Sequence, residues 1–253
     1  MYKIHPKTLF VGKNVRYFSS CYSTNDLAAE IIQQKEAFEG AFIITDNQLA
    51  GRGQRGNNWE AHPGMNITLS VLLKPSFLQA NKQFDLNVAV SLAIHDLLSL
   101  QILDKLTIKW PNDIYVGDKK MGGILIENML LGNHIGWSII GVGMNINQLD
   151  FENLNATSLR IEMNGREQDN QHLIEKLAEY IEKRFLELKA GKTDSQKKTY
   201  VENLFRFEEW HNYKVDDKTF AGQIIDVSPT GKLIVKTLKT VKNYDFKEIS
   251  YVI

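Results

Sequence analysis

The segment Gly51-Arg52-Gly53-Gln54-Arg55-Gly56 sets two guanidinium groups on a backbone that three glycines leave free to bend. Such a segment can wrap an oxyanion with its N–H groups while the arginines add charge-assisted hydrogen bonds. Two further segments, Lys109-Trp110-Pro111-Asn112-Asp113 and Lys119-Lys120-Met121-Gly122-Gly123-Ile124, gather lysines, an amide and a carboxylate in tight loops or at strand ends. Together they suit the binding of phosphate and carboxylate oxygens. Phosphoryl-centred chemistry relies on positioning and electrostatics, so the lack of a Ser/His/Asp arrangement does not count against it.

Two look-alikes are set aside on context. The glycine loop satisfies G-x-G-x-x-G, but Asn57 to Gly64 is hostile to a helix, and about twenty residues on lie Leu72, Leu73, Lys74 and Pro75 instead of a carboxylate. Gly191-Lys192-Thr193 is not a phosphate loop, because Leu186 stands where another glycine is needed and a helix precedes it instead of a strand.

The elements that must hold these segments are readable from periodicity. A strand around Leu9 to Tyr17 leads to a helix over Asn25 to Phe38, with Leu27, Ala28, Ile31 and Ile32 on one face and Ser23 as its cap. Strands at Ala41 to Thr45 and Asn66 to Leu73 grip the glycine loop at both ends. A deeply packed helix spans Leu86 to Leu100, and His95 within it reads as a packed histidine. Strands follow at Thr107 to Trp110, Ile114 to Val116, Ile124 to Leu131 and Ile135 to Val142, the centre of a sheet. Helices span Asp169 to Leu188 and Ser195 to Leu204. From Phe207 on, segments at Asn212 to Val215, Thr219 to Val227, Leu233 to Thr237 and Phe246 to Ile253 predict a small β-barrel.

Bulk properties exclude several classes. With 253 residues, 43% hydrophobic, the chain can bury a substantial core. Thirty basic residues balance thirty acidic ones, so no global charge draws DNA or an anionic membrane, and any anion site is local. The single cysteine, Cys21, excludes an intramolecular disulfide and reads as a small buried side chain. No apolar run has spanning length and the start lacks a signal core, which predicts a cytoplasmic protein.

The three segments, in this order, resemble the biotin protein ligases. Ser23-Thr24-Asn25, Gln48, Trp59, the strand end Gly141-Val142-Gly143-Met144-Asn145-Ile146-Asn147 and Ala156-Thr157-Ser158-Leu159 extend the resemblance. It implies an α+β fold, a mixed sheet flanked by helices like that of class II aminoacyl-tRNA synthetases, with a catalytic domain over 1–206 and an SH3-like β-barrel over 207–253. It also implies the reaction: biotin is activated by ATP to biotinyl-5'-AMP with release of pyrophosphate, then passed to a lysine of a biotin carboxyl carrier protein domain. Both reactants are anions, whose repulsion at 4 Å rises from about 1 kcal/mol in water to about 4 at an effective dielectric of 20, so the cleft needs cations.

By resemblance, Lys120 and Arg52 are catalytic. Ser23, Thr24, Asn25, Gln48, Arg52, Gly53, Gln54, Lys120, Gly123, Gly141 and Gly143 form the biotin side. Arg52, Arg55, Trp59, Lys109, Asn112, Asp113 and Asn145 form the ATP side, with Asp113 toward magnesium. Many family members carry a basic residue where this chain has Gln54, which places retention of the adenylate on Arg52 and Arg55. Only twenty-two residues precede Ser23, too few for a helix-turn-helix domain, so a monofunctional enzyme without DNA binding is expected. Lipoate or octanoate transfer and non-catalytic biotin binding stand as alternatives, and open sheet edges permit a homodimer.

Overall fold

The computed structural model describes residues 2–151 and 155–252. The chain runs β1 (Val15–Phe18), α1 (Thr24–Gln33), β2 (Phe42–Thr45), β3 (Ile67–Leu73), α2 (Gln83–Ser99), β4 (Leu106–Lys109), β5 (Asp113–Val116), β6 (Lys119–Leu131) and β7 (His134–Met144). It continues with α3 (Leu159–Glu162), α4 (Asn170–Lys189), α5 (Thr193–Glu202), β8 (Trp210–Val215), β9 (Lys218–Val227), β10 (Leu233–Lys236), β11 (Val241–Tyr244) and β12 (Ser250–Tyr251).

The first seven strands form one sheet in the order β1-β2-β3-β7-β6-β5-β4. Only β1 and β2 pair in parallel, so the sheet is mixed, as expected. Alternation of side chains along each strand separates its two faces. Phe42 and Ile44 on β2, Leu69, Val71 and Leu73 on β3 and Ile140 and Val142 on β7 pack with the buried residues of α2 and α4 in the large core. Ile43, Leu72 and Ile139 point the other way, onto Ala28 and Ile31 of α1. Helix α1 ends at Gln33, five residues before the expected Phe38, and Ser23 holds the N-cap position without a side-chain capping bond. The β6 strand begins at Lys119, five residues before the expected Ile124.

The last five strands form a second antiparallel sheet, β11-β10-β9-β8-β12. It is open, which corrects the expected SH3-like β-barrel. The segment expected as a strand over Phe246 to Ile253 contributes only Ser250–Tyr251, which pairs with β8 alone, and β11 pairs only with β10. Its residue Ile253 lies outside the described residues. Apolar side chains of this sheet, including Tyr213, Ile224, Val227, Leu233 and Val235, are buried in the same core cluster as the first sheet. Its inner face is thus covered by the rest of the chain, and closure on itself is not needed for burial. The Trp110 indole donates to the Gly231 carbonyl at 2.9 Å and meets Phe246 edge-on, with ring centroids 5.9 Å apart.

Candidate functional site

At the centre of the sheet, the face turned toward α1 changes character. Along β3 it reads Leu72, Ser70, Thr68, and opposite these on β7 stand Ile139, Gly141, Gly143. The β6 partners of that β7 row are Glu127, Leu125 and Gly123. Small and hydroxyl-bearing residues therefore replace the apolar ones that pack α1 two residues earlier, and a concave floor results. A side chain at Gly141 would put its Cβ 2.6 Å from Asn25 Oδ1, and one at Gly143 would lie 2.7 Å from the indole nitrogen of Trp59. Both glycines are needed for close approach.

The floor is polar and organised. Ser70 Oγ donates to Asn25 Oδ1 at 2.6 Å and lies 2.8 Å from Thr24 Oγ1. Gln48 accepts from the Thr24 backbone N–H at 2.9 Å, and Asn25 Nδ2 donates to Glu127 at 2.6 Å. Ser23, Thr24 and Asn25 are buried on the first turn of α1, which explains why Ser23 faces the pocket instead of capping its helix. The glycine loop closes on itself: Gly53 N–H donates to Asn57 O at 2.7 Å and Trp59 N–H to Gly51 O at 2.9 Å.

Lys120 Nζ stands 2.8 Å from Asp113 Oδ1 and 5.5 Å from the centre of the Trp59 ring. Asn112 is buried, and its amide donates to the Ile124 carbonyl, tying the β4–β5 turn to β6. Arg52 lines the same pocket and donates to Asp26 at 2.6 Å and to both oxygens of Glu127 at 3.0 and 3.2 Å. One pocket thus brings together Ser23, Thr24, Asn25, Gln48, Arg52, Gly53, Gln54, Trp59, Asn112, Asp113, Lys120, Gly123, Gly141 and Gly143. The side chain of Arg55 lies outside the described residues.

Two expected residues stand apart from this lining. Lys109 donates to the Tyr115 hydroxyl at 3.1 Å and lies over the Tyr115 and Tyr251 rings, so it joins the second sheet to β4. Burial lowers its pKa from the usual lysine value. Asn145 donates to the Thr157 carbonyl at 3.1 Å, but its Oδ1 is buried without a hydrogen-bond partner. The indole nitrogen of Trp59 is buried in the same condition. Among the described residues, no three His, Cys, Asp or Glu side chains converge as a metal site, and no helix is long and apolar enough to cross a membrane. Asp26, Thr68, Glu127 and Phe246 join this region beyond the expected residues. Thr68 and Glu127 follow the two-residue period of the floor strands, whereas Phe246 reaches the pocket from the segment between β11 and β12 with no local signal.

Fold and site define an acid-activating protein ligase class: residues 17–145 match the biotin/lipoate A/B protein ligase family, to which the chain belongs. The bifunctional ligase/repressor BirA of Bacillus spizizenii is 30% identical over 244 residues, 93% of this chain and 73% of that protein. The BirA protein of Bacillus subtilis is 29% identical over the same shares. Within the family, the chain is a member of the biotin protein ligases. The biotin protein ligase of Aquifex aeolicus, solved with biotin and ATP, has the same fold, with a TM-score of 0.77 at 24% identity over 94% of this chain and 98% of that one. The enzyme of Leishmania major, solved with biotinyl-5-AMP, gives 0.62 at 21% over 92% and 99%.

Proposed function

We propose that this protein condenses biotin with ATP to biotinyl-5'-AMP and pyrophosphate, then transfers biotin to a lysine of a biotin carboxyl carrier protein domain. The observation that carries this reading is the pairing of a small, polar sheet floor with Lys120, Asp113 and Trp59 beneath a glycine loop. A ureido ring brings N–H donors and a carbonyl acceptor, and Ser23, Thr24, Asn25 and Gln48 supply complementary groups. Left unpaired, such groups cost about 1–3 kcal/mol each on burial. The valeryl carboxylate then runs toward Lys120.

Lys120 holds one oxygen of that carboxylate and one of the α-phosphate. The other carboxylate oxygen attacks phosphorus as the bond to pyrophosphate breaks. Before substrate binds, Lys120 is neutralised by Asp113, so the lysine exchanges one oxyanion for another as the reactants enter. Asp113 is thereby freed. It is the one carboxylate among the described lining residues, and magnesium would take it as a single protein ligand, completing its shell with phosphate oxygens and water. The ion would spread charge over the leaving pyrophosphate. Trp59, in the pocket lining, offers a ring face to adenine.

In the second step, the carrier lysine's amine attacks the anhydride carbonyl, expels AMP and loses a proton. The reading places the protein in the cytoplasm, with ATP and its carrier. Residues 1–206 hold the chemistry, while 207–253 support it through Phe246 and the Lys109 contacts; a homodimer is not required by this site. The test is biotin-dependent pyrophosphate exchange, run beside lipoate. Exchange with biotin is expected, and its loss by at least about a thousandfold in Lys120→Ala with an unchanged circular dichroism spectrum. Exchange with lipoate alone, or unchanged exchange in the variant, would overturn the reading.

A further inference from the structure

Arg52 is tied by two carboxylates that stand just outside the pocket. Asp26 lies on α1, Glu127 on β6, and the arginine comes from the loop between β2 and β3, so three separate elements meet at this cluster. Arg52 uses both Nη2 protons and one Nη1 proton on them, leaving Nε and one Nη1 proton for another partner. The three side chains sum to one negative charge, directly beside a pocket that must accept anions. All are between 38% and 52% exposed, so water and counterions weaken the pairs and allow them to exchange.

We propose that Asp26 and Glu127 are positioning residues that compete with the adenylate phosphate for Arg52 and so shorten the lifetime of bound biotinyl-AMP. The inference rests on the ligase reading above. Its physical basis is the same exchange of oxyanions as at Lys120, except that among the described residues no second cation pairs with either carboxylate when Arg52 turns to substrate. Glu127 also accepts from Asn25, which carries the competition into the biotin floor.

The test uses Glu127→Gln, which keeps an acceptor for Asn25 while removing the charge, and Asp26→Asn. Labelled biotinyl-AMP is formed on the full-length enzyme from biotin and ATP, then chased with unlabelled biotin and ATP. Each variant is expected to slow loss of the label by about two- to fivefold, the range of an exposed ion pair. The slowing should shrink as salt rises and vanish in an Arg52→Ala background. Unchanged or faster loss in the variants, or slowing that persists without Arg52, would overturn the proposal. Should the wild-type enzyme form no adenylate while exchanging none with biotin, the ligase reading itself falls, and this one with it.

Discussion

At the residue scale, the pocket is made as much by what is missing as by what is present. Gly141 does not have a left-handed backbone; its lack of a side chain matters because Asn25 occupies the space a Cβ would need. Gly141→Ala is therefore expected to push Asn25 aside and break its bonds to Ser70 and Glu127. Losing one such network costs at least about 1.4 kcal/mol, a tenfold weakening of biotin binding by titration calorimetry. Unaltered affinity would show that Asn25 has slack. Lys109 makes the opposite point. It stands in register opposite Asp113, on the same face of the sheet, yet its ammonium turns to the Tyr115 and Tyr251 rings, and Tyr251 is remote in sequence.

At the element scale, the expected strands and helices are present around the glycine loop because periodicity and turn residues are local signals. Helix α4 at Asn170–Lys189 falls within a residue of its expected span, begun by Asp169, whose carboxylate accepts from His172 N–H at 3.1 Å. Tertiary partners were the hidden part. The β6 strand extends through Gly122 and Gly123 because β7 pairs with both, and the second sheet stays open because its edge strands β11 and β12 do not pair with each other. The N-terminal segment before β1 is a similar case: it has little secondary structure and is anchored by α4. Glu182, 6% exposed, accepts from the backbone N–H groups of Leu9, Phe10 and Val11 at 2.6 to 3.0 Å. Glu182→Ala is expected to destabilise the protein by about 3 kcal/mol, since it strips buried donors of their acceptor. Hydrogen exchange should speed first at residues 9–11; urea melting within 0.5 kcal/mol of wild type would refute the anchor.

At the scale of the whole molecule, the two sheets share one core, and the aromatic seam between them governs behaviour in alkali. Tyr251 joins the Phe205 ring, 5.8 Å away, to Tyr213, 5.5 Å away. The hydroxyls of Tyr213 and Tyr251 are buried without hydrogen-bond partners. Burial raises both phenol pKa values, that of Tyr213 to about 12. A phenol whose folded pKa exceeds its unfolded value near 10 contributes stability that is fully present below pH 10. That contribution is lost as pH rises toward the folded pKa, because the unfolded chain ionises first. Each such group steepens the loss by about 1.4 kcal/mol per pH unit in that window. Tyr213→Phe and Tyr251→Phe remove an unpaired hydroxyl while keeping the ring, so stability at pH 7 should be unchanged or slightly higher. Between pH 10 and 12 their melting temperatures should fall less steeply than that of the wild-type protein. Parallel curves would mean that the seam opens to water before the phenols ionise, and that the two sheets separate ahead of global unfolding.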